Sequence, residues 1–168
     1  MLKLAIDYVD KLNRKNRLVA FNPKYMFYNL GACRYYNTDI ATDSWNQMQM
    51  VSVSPNDDVI GYLACKCDRS ANIAYGVAAI NYGDINLTFS IDFFKFLDSL
   101  FTLHHFNKIE WEVVIGNPAE KMYDKIIKKY NGRIIGVKHE STKLIDGQLY
   151  DMKEYELFAR DYLKVHKS

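Results

Sequence analysis

Side chains able to do acid–base, nucleophilic or metal chemistry are sparse in this 168-residue chain, and most stand alone. Two of the three cysteines form Cys65-Lys66-Cys67, a spacing that points both thiols the same way on a strand. No second cysteine pair or neighbouring histidine completes a zinc set, so the pair reads as small buried hydrophobes. Cys33 makes the count odd, without the spacing of a disulfide framework. Glu110 and Glu112 flank Trp111 and share one face of a strand. Either carboxylate could hold a water that takes a proton, and the same alternation also describes a solvated strand face. His139 is a weaker proton acceptor. His104 and His105 close an apolar run, where an imidazolium suits a helix C-terminus. The densest basic stretch, Lys11 to Arg17, is short and reads as a solvated helix face.

These groups are carried by a chain whose patterning changes along its length. Ala5 to Arg17 has helical spacing, with Leu4, Tyr8 and Leu12 on one side. Asn22-Pro23 breaks it, and Pro23 to Leu30 reads as a short second helix. From Trp45 onward, Gln47–Ser54, Val59–Cys67 and Ile73–Asn81 read as three strands of an antiparallel meander, separated by the turns Pro55–Asp58 and Asp68–Ala71. Ile91 to His105 is an apolar helix, with one polar stripe at Asp92, Lys95, Ser99 and Thr102. Thr88 or Ser90 suits its N-cap, and Asp92 its first turn. Ile109 to Ile115 alternates as a strand and stops at Gly116-Asn117-Pro118. Pro118 suits the first turn of a helix running to Tyr130, closed by Asn131-Gly132. Arg133–Glu140 and Gln148–Phe158 are the last strands, with Asp146-Gly147 as a hairpin signal.

Size and composition bound the function classes. Hydrophobic residues make up 49% of the chain, so it is globular, and 168 residues suit one domain with a full core. Neither linker nor repeat divides it, so residues 1–168 read as one domain, with 1–45 as a helical acceptor-side segment and 45–160 as the core. A net charge of +2 with scattered Lys and Arg argues against nucleic acid as partner. No run of about 18 apolar residues occurs and the N-terminus lacks a signal-peptide core, so a cytoplasmic protein without membrane contact is the expectation. A homodimer stays open.

The element order of meander, helix, strand, helix and hairpin resembles the GNAT acyltransferase (N-acetyltransferase) superfamily from Val59 to Tyr162. The resemblance is carried by Ile109-Glu-Trp-Glu-Val-Val-Ile-Gly-Asn117, Met122-Tyr123, Tyr130-Asn131-Gly132 and the hairpin from Leu144 to Tyr155. It implies an α/β (α+β) fold: a mixed central sheet in which an antiparallel meander leads into a parallel, splayed strand pair, flanked by helices. It also implies acetyl-CoA as co-substrate, an amine acceptor and no metal.

In such folds the thioester lies in the splay. Carried onto this sequence, the pantetheine runs beside Val77, Ala79, Ile80 and Asn81, and the amide near Ala79 or Ile80 faces the thioester carbonyl. Asn117 contacts the pantetheine or caps the next helix. Tyr123 is the candidate general acid: a phenol of pKa ~10 can protonate a departing thiolate at neutral pH. Glu112 and Glu110 are candidate bases. Tyr25, Tyr28, Tyr35, Tyr36 and Trp45 would line an aromatic acceptor pocket, and no acidic cluster in the sequence points to a polyamine. The diphosphate would meet Gly83, Leu87, Thr88, Phe89 and Ser90, with Thr88 and Ser90 adding hydroxyl donors. The superfamily loop normally reads R/Q-x-x-G-x-G/A. Here Asn81 to Ser90 holds one glycine and no Arg or Gln, and Asp84 would repel phosphate if it pointed inward. Three readings therefore stand: an acetyl-CoA-dependent N-acetyltransferase for a primary amine of a small molecule or peptide, a non-catalytic binding or structural protein that has lost CoA, and a transferase using another acyl donor.

Overall fold

In the computed structural model of the chain, residues 1–28, 36–84 and 86–166 are described. The strands are β1 (Leu2–Leu4), β2 (Gln47–Val53), β3 (Val59–Asp68), β4 (Ile73–Asn81), β5 (Lys108–Val114), β6 (Arg133–Lys143) and β7 (Leu149–Phe158). The helices are α1 (Val9–Val19), α2 (Leu87–Thr102), α3 (Glu120–Lys129) and α4 (Ala159–His166). The strands form one mixed sheet in the order β1-β2-β3-β4-β5-β7-β6. All pairings are antiparallel except β4 with β5.

Period-two alternation along these strands divides apolar residues between two faces. On one face Leu63, Cys65, Ile109, Trp111, Tyr155 and Leu157 pack against Phe93, Phe96 and Leu97 of α2 and Ile126 and Ile127 of α3. On the other, Val51, Val53, Tyr62 and Ile80 pack against Ala5 and Leu12, at the start of the chain. Cys65 and Cys67 are buried and free. Neighbouring Cys65 and the nearby Arg69 guanidinium hold the Cys67 thiol below the ordinary cysteine value. Cys33 and Tyr35 lie outside the described residues.

One residue sets up the parting of the sheet. Along β3, Ala64 pairs with Ala78 and Lys66 with Tyr75, so one residue of β3 faces two of β4. The extra residue is accommodated at Gly76, whose φ of +58° is open to glycine and costly for other L-residues. Before this bulge β4 pairs with β5 at Ile73–Lys108 and Ala74–Ile109; beyond it no pairing between their described residues remains. The bulge also reverses side-chain parity. Ala74 and Ala79 therefore pack on the α2 side, while Ile80 packs on the α1 side.

Several sequence expectations are corrected. The first helix begins as a 3-10 turn, Ala5–Tyr8, and is α-helical only from Val9, because Leu2–Leu4 is drawn into the sheet edge. Pro23–Tyr25 is a 3-10 turn. Asn86, not Thr88 or Ser90, caps α2; its Oδ1 accepts from the amides of Thr88 (2.9 Å) and Phe89 (3.4 Å). Asp92 is not part of a wet stripe. It is 1% exposed, accepts from Ser52 Oγ (2.7 Å) and pairs with the Met1 ammonium (2.7 Å). Pro118 precedes α3, which starts at Glu120 after an Asn117 turn. α4, which continues β7, had no separate sequence signal. Burial, Arg69 and His105 lower the His104 pKa, which disfavours the charged form expected of a helix cap.

Candidate active site

The parted strands leave a cleft of about 160 Å³. Its walls are Val77–Ile80 of β4 and Glu112–Val114 of β5. Asn117, Ala119 and Tyr123 close one side, and Tyr28 and Met152 also reach it. Tyr82 N–H donates to Ile60 O on β3 (2.9 Å). Strand alternation then turns the amides of Asn81 and Ala79 to the opposite, open edge of β4. Of the two amides named for a thioester carbonyl, Ala79 therefore faces the gap and Ile80 faces β3.

Tyr123 is 9% exposed. Its ring meets Trp111 and Tyr155 edge-on, with centroids 6.0 Å from each, and lies 6.2 Å from Phe93. Burial, with a smaller contribution from Tyr28, pushes its phenol well above the ordinary tyrosine value, and no hydrogen bond to a described residue offsets this. Neighbouring groups hold α3 in register: Tyr155 donates to Asp124 Oδ1 (2.8 Å), and Lys153 pairs with Asp124 and Glu120. Tyr28 is brought in from far upstream. Burial raises its phenol pKa, while a hydrogen bond from the Asn81 backbone opposes the rise. Asn117 Oδ1 accepts from Ala119 N–H (2.9 Å) in the turn before α3, whose cap position is Ala119, and the residue lines the cleft.

A second depression, of about 200 Å³, adjoins the cleft through Gly76 and Glu112. It is lined by Glu110, Glu112 and Glu154, with Tyr75, Trp111 and Ile135. Lys108 pairs with Glu110, and Lys138 with Glu154 and, at 3.5 Å, with Glu112. Glu154 holds the Lys138 ammonium above its ordinary pKa. Trp111 Nε1 is buried without a hydrogen-bond partner among the described residues. Three carboxylates therefore gather where no acidic cluster was legible: the antiparallel β5–β7 register sets Glu112 directly opposite Glu154.

The other named residues lie elsewhere. Leu87 is exposed, the Phe89 ring fills the space beside Gly61, and Ser90 Oγ donates back to Asn86 O (3.1 Å). Ser90 thus does not present its hydroxyl outward, and Asn86 already occupies the amides of Thr88 and Phe89. Gly83 is exposed and lines neither depression. Asp84 pairs with Lys24 (2.8 Å), so its charge is compensated. His139 is exposed on β6, 2.9 Å from Asp151, outside the cleft. Tyr36 and Trp45 are exposed and stack with Arg17 and Arg69; Tyr25 stacks on Tyr28. Sequence reasoning missed Gly76 and Glu154. The isolated glycine inside a strand was the available signal for the first. Among the described residues, no group of three His, Cys, Asp or Glu could hold a metal ion, and no helix is long and apolar enough to cross a membrane.

No family model matches the sequence, and no curated protein sequence matches it. Solved structures do match. A point mutant of the spermidine N-acetyltransferase SpeG from Vibrio cholerae superposes with a TM-score of 0.70 at 16% identity, over 97% of each chain. A chimera of the Vibrio cholerae enzyme and hSSAT gives 0.68 at 18% identity, over 98% of this chain and 99% of that one. The Vibrio cholerae spermidine/spermine N-acetyltransferase in complex with manganese ions gives 0.62 at 19% identity, over 72% and 70%. At these identities the likeness is one of fold, and the fold is that of N-acetyltransferases.

Proposed function

We propose that this chain, built on the GNAT acyltransferase fold, transfers an acetyl group from acetyl-CoA to a primary amine, neutral when it attacks, on an acceptor that carries positive charge elsewhere. The observation that carries the proposal is the gap between β4 and β5, whose walls hold an open-edge amide at Ala79 and the phenol of Tyr123, its ring packed in the core. An extended donor arm can add to the open edge of β4 as a strand would. The Ala79 amide is then a donor for the oxygen that gains charge when the amine attacks. Tyr123 holds the proton that the leaving sulfur needs. Glu112 is the stronger candidate base, because it reaches both the cleft and the acidic depression. Glu110 reaches only the depression and is tied to Lys108. The three carboxylates at Glu110, Glu112 and Glu154 outnumber the two ammoniums of Lys108 and Lys138 paired with them, and the excess supports a cationic acceptor, as do the spermidine enzymes among the structural neighbours.

Thermal melting with and without acetyl-CoA tests this reading. At about 100 times its Kd, a ligand adds about 2.7 kcal/mol to the folded state, a rise of several degrees in Tm. Turnover is then compared between spermidine and an uncharged amine, with the cationic acceptor expected to react faster. One observation favours the alternative of a non-catalytic protein on the same fold: Asn86 already satisfies two of the first amides of α2. An unchanged Tm in millimolar acetyl-CoA would overturn the acetyl-CoA reading and favour that alternative.

A further inference from the structure

We propose that the outer edge of β2 at Gln47 and Gln49 is a docking groove for an extended, basic and apolar peptide segment, which adds to the sheet as a further strand beyond the end of β1. The groove lies apart from the parted strands, and the inference is independent of the acyl-transfer reading.

The register of β2 fixes which of its backbone groups are open. Asn46 O accepts from Cys67 N–H (2.7 Å), so Asn46, and with it Met48 and Met50, turn their backbone groups to β3. Val53 N–H donates to Met1 O (3.0 Å), in keeping with odd-numbered residues that face the β1 side. β1 pairs only as far as Leu4 with Met50, and the chain then leaves the sheet in the 3-10 turn Ala5–Tyr8. The N–H and C=O of Gln47 and Gln49 therefore point outward past the end of β1, where no described residue pairs with them. Both residues are half-buried, and backbone groups so placed call for a partner.

Room for that partner is held open. A cavity of about 540 Å³ runs along Gln47–Met50, with Leu4, Ile6, Ile40 and Leu103 among its walls. Leu4, Ile6 and Leu103 are exposed, so its rim is apolar. Residues 40–44 form the facing wall, and each end of it is pegged. Gln49 holds one end: Oε1 accepts from Ala41 N–H (2.8 Å), and Nε2 donates to Asp39 O (2.9 Å). Arg69 holds the other: Nε donates to Trp45 O and Nη2 to Ser44 O, both at 2.8 Å, and the guanidinium stacks on the Trp45 ring. The wall cannot fold onto the strand edge without breaking these bonds.

Shape and charge choose the occupant. Donor and acceptor repeat at every second residue, the pattern that an extended chain matches. The edge is recessed between residues 40–44 and the end of α2, so the same edge of a second copy, equally recessed, does not reach it. A single extended segment does. Its side chains on one face meet Met48 and Met50, which pack on the α2 side, so every second residue is apolar. Asp43 is the one carboxylate among the described lining residues, and none of them is Lys or Arg. Burial holds nearby His104 toward its neutral form. A lysine or arginine beside the apolar residues complements that charge.

The probe is a blocked hexapeptide of alternating valine and threonine that ends in lysine, titrated into the full chain and followed by NMR. The Gln47 and Gln49 amides should shift, and their hydrogen exchange should slow roughly tenfold or more at saturation. The Met48 amide, already turned to β3, should keep its rate. Methylating the backbone nitrogens of the probe should abolish binding. Asp43→Asn should weaken the probe about two- to fivefold and leave a lysine-free version unaffected. No response at Gln47 and Gln49 in millimolar peptide overturns the proposal. Equal binding by the methylated peptide reduces the groove to an apolar contact and overturns strand addition. Unchanged affinity in Asp43→Asn overturns the basic character of the guest. Protection of both amides before peptide is added, with a dimer mass by light scattering, gives the edge to a second copy and overturns the proposal as well.

Discussion

Tyr123 shows how burial sets the behaviour of a single phenol. Its ring is enclosed by Trp111, Tyr155 and Phe93, and burial disfavours the phenolate. The acid form of a group with a raised pKa persists until the pH climbs past that raised value. Tyr123 therefore stays protonated through the range where an ordinary tyrosine, of pKa ~10, begins to ionise. An alkaline fall in kcat that came from Tyr123 would lie above that range, and a pH–rate profile locates it. Tyr123→Phe should lower kcat by roughly 10²-fold or more, with little change in KM. The same substitution removes a hydroxyl that lines the cleft and makes no hydrogen bond to a described residue, so urea denaturation should show stability nearly unchanged. A parallel loss of stability and rate would mark Tyr123 as a packing residue. Glu154 sits at the same scale and teaches a different lesson. Nothing near it in sequence marks it as a site residue, because its partner Glu112 is supplied by strand register and not by spacing.

Two local devices at the level of elements decide what the cleft can do. The bulge at Gly76 parts β4 from β5, and no described atom outside its immediate chain neighbours lies within 4 Å of where a side chain would start. The cost of Gly76→Ala is then purely conformational, about 1–2 kcal/mol, and is measurable by urea denaturation. If the chain escapes that cost by extending, β4 loses its bulge and pairs further along β5, so the acetyl-CoA melting shift should shrink as well. The cap of α2 is the second device. Asn86→Ala should cost ~1 kcal/mol of stability as a lost N-cap. It also frees the amides of Thr88 and Phe89, so diphosphate-bearing ligands should bind more tightly by calorimetry. The regular elements were legible because their signals are local. Ile73–Asn81 follows from alternation ended by a turn, and β2 and β5 match within a residue or two. Leu2–Leu4 was not, since three residues carry too little pattern and become a strand only by pairing with β2. The cap at Asn86 was missed because the apolar helical pattern becomes clear only at Ile91, a turn after the helix has begun.

The whole molecule is a sheet divided into two unequal packing units. β1 to β4 carry the α1 side, the α2 and α3 side runs across the tear, and β4 joins β5 by described backbone pairing at Ile73 and Ala74 alone. The helices therefore keep the halves together while the backbone edges above Gly76 stay unpaired by strand. Amide hydrogen exchange can read this division residue by residue. Ile80 N–H is turned into β3, and Ala79 N–H faces the gap. In a continuous sheet both would be protected alike. Here Ala79 should exchange much faster than Ile80 in the free protein, although the two are adjacent in one strand and near the same core. A bound donor arm should slow Ala79 toward the rate of Ile80 and leave Ile80 almost unchanged, because only the open edge gains a partner. Equal protection of the two amides without ligand would mean that the strands close in solution, and a closed β4–β5 pair leaves no path for a thioester to the Tyr123 hydroxyl.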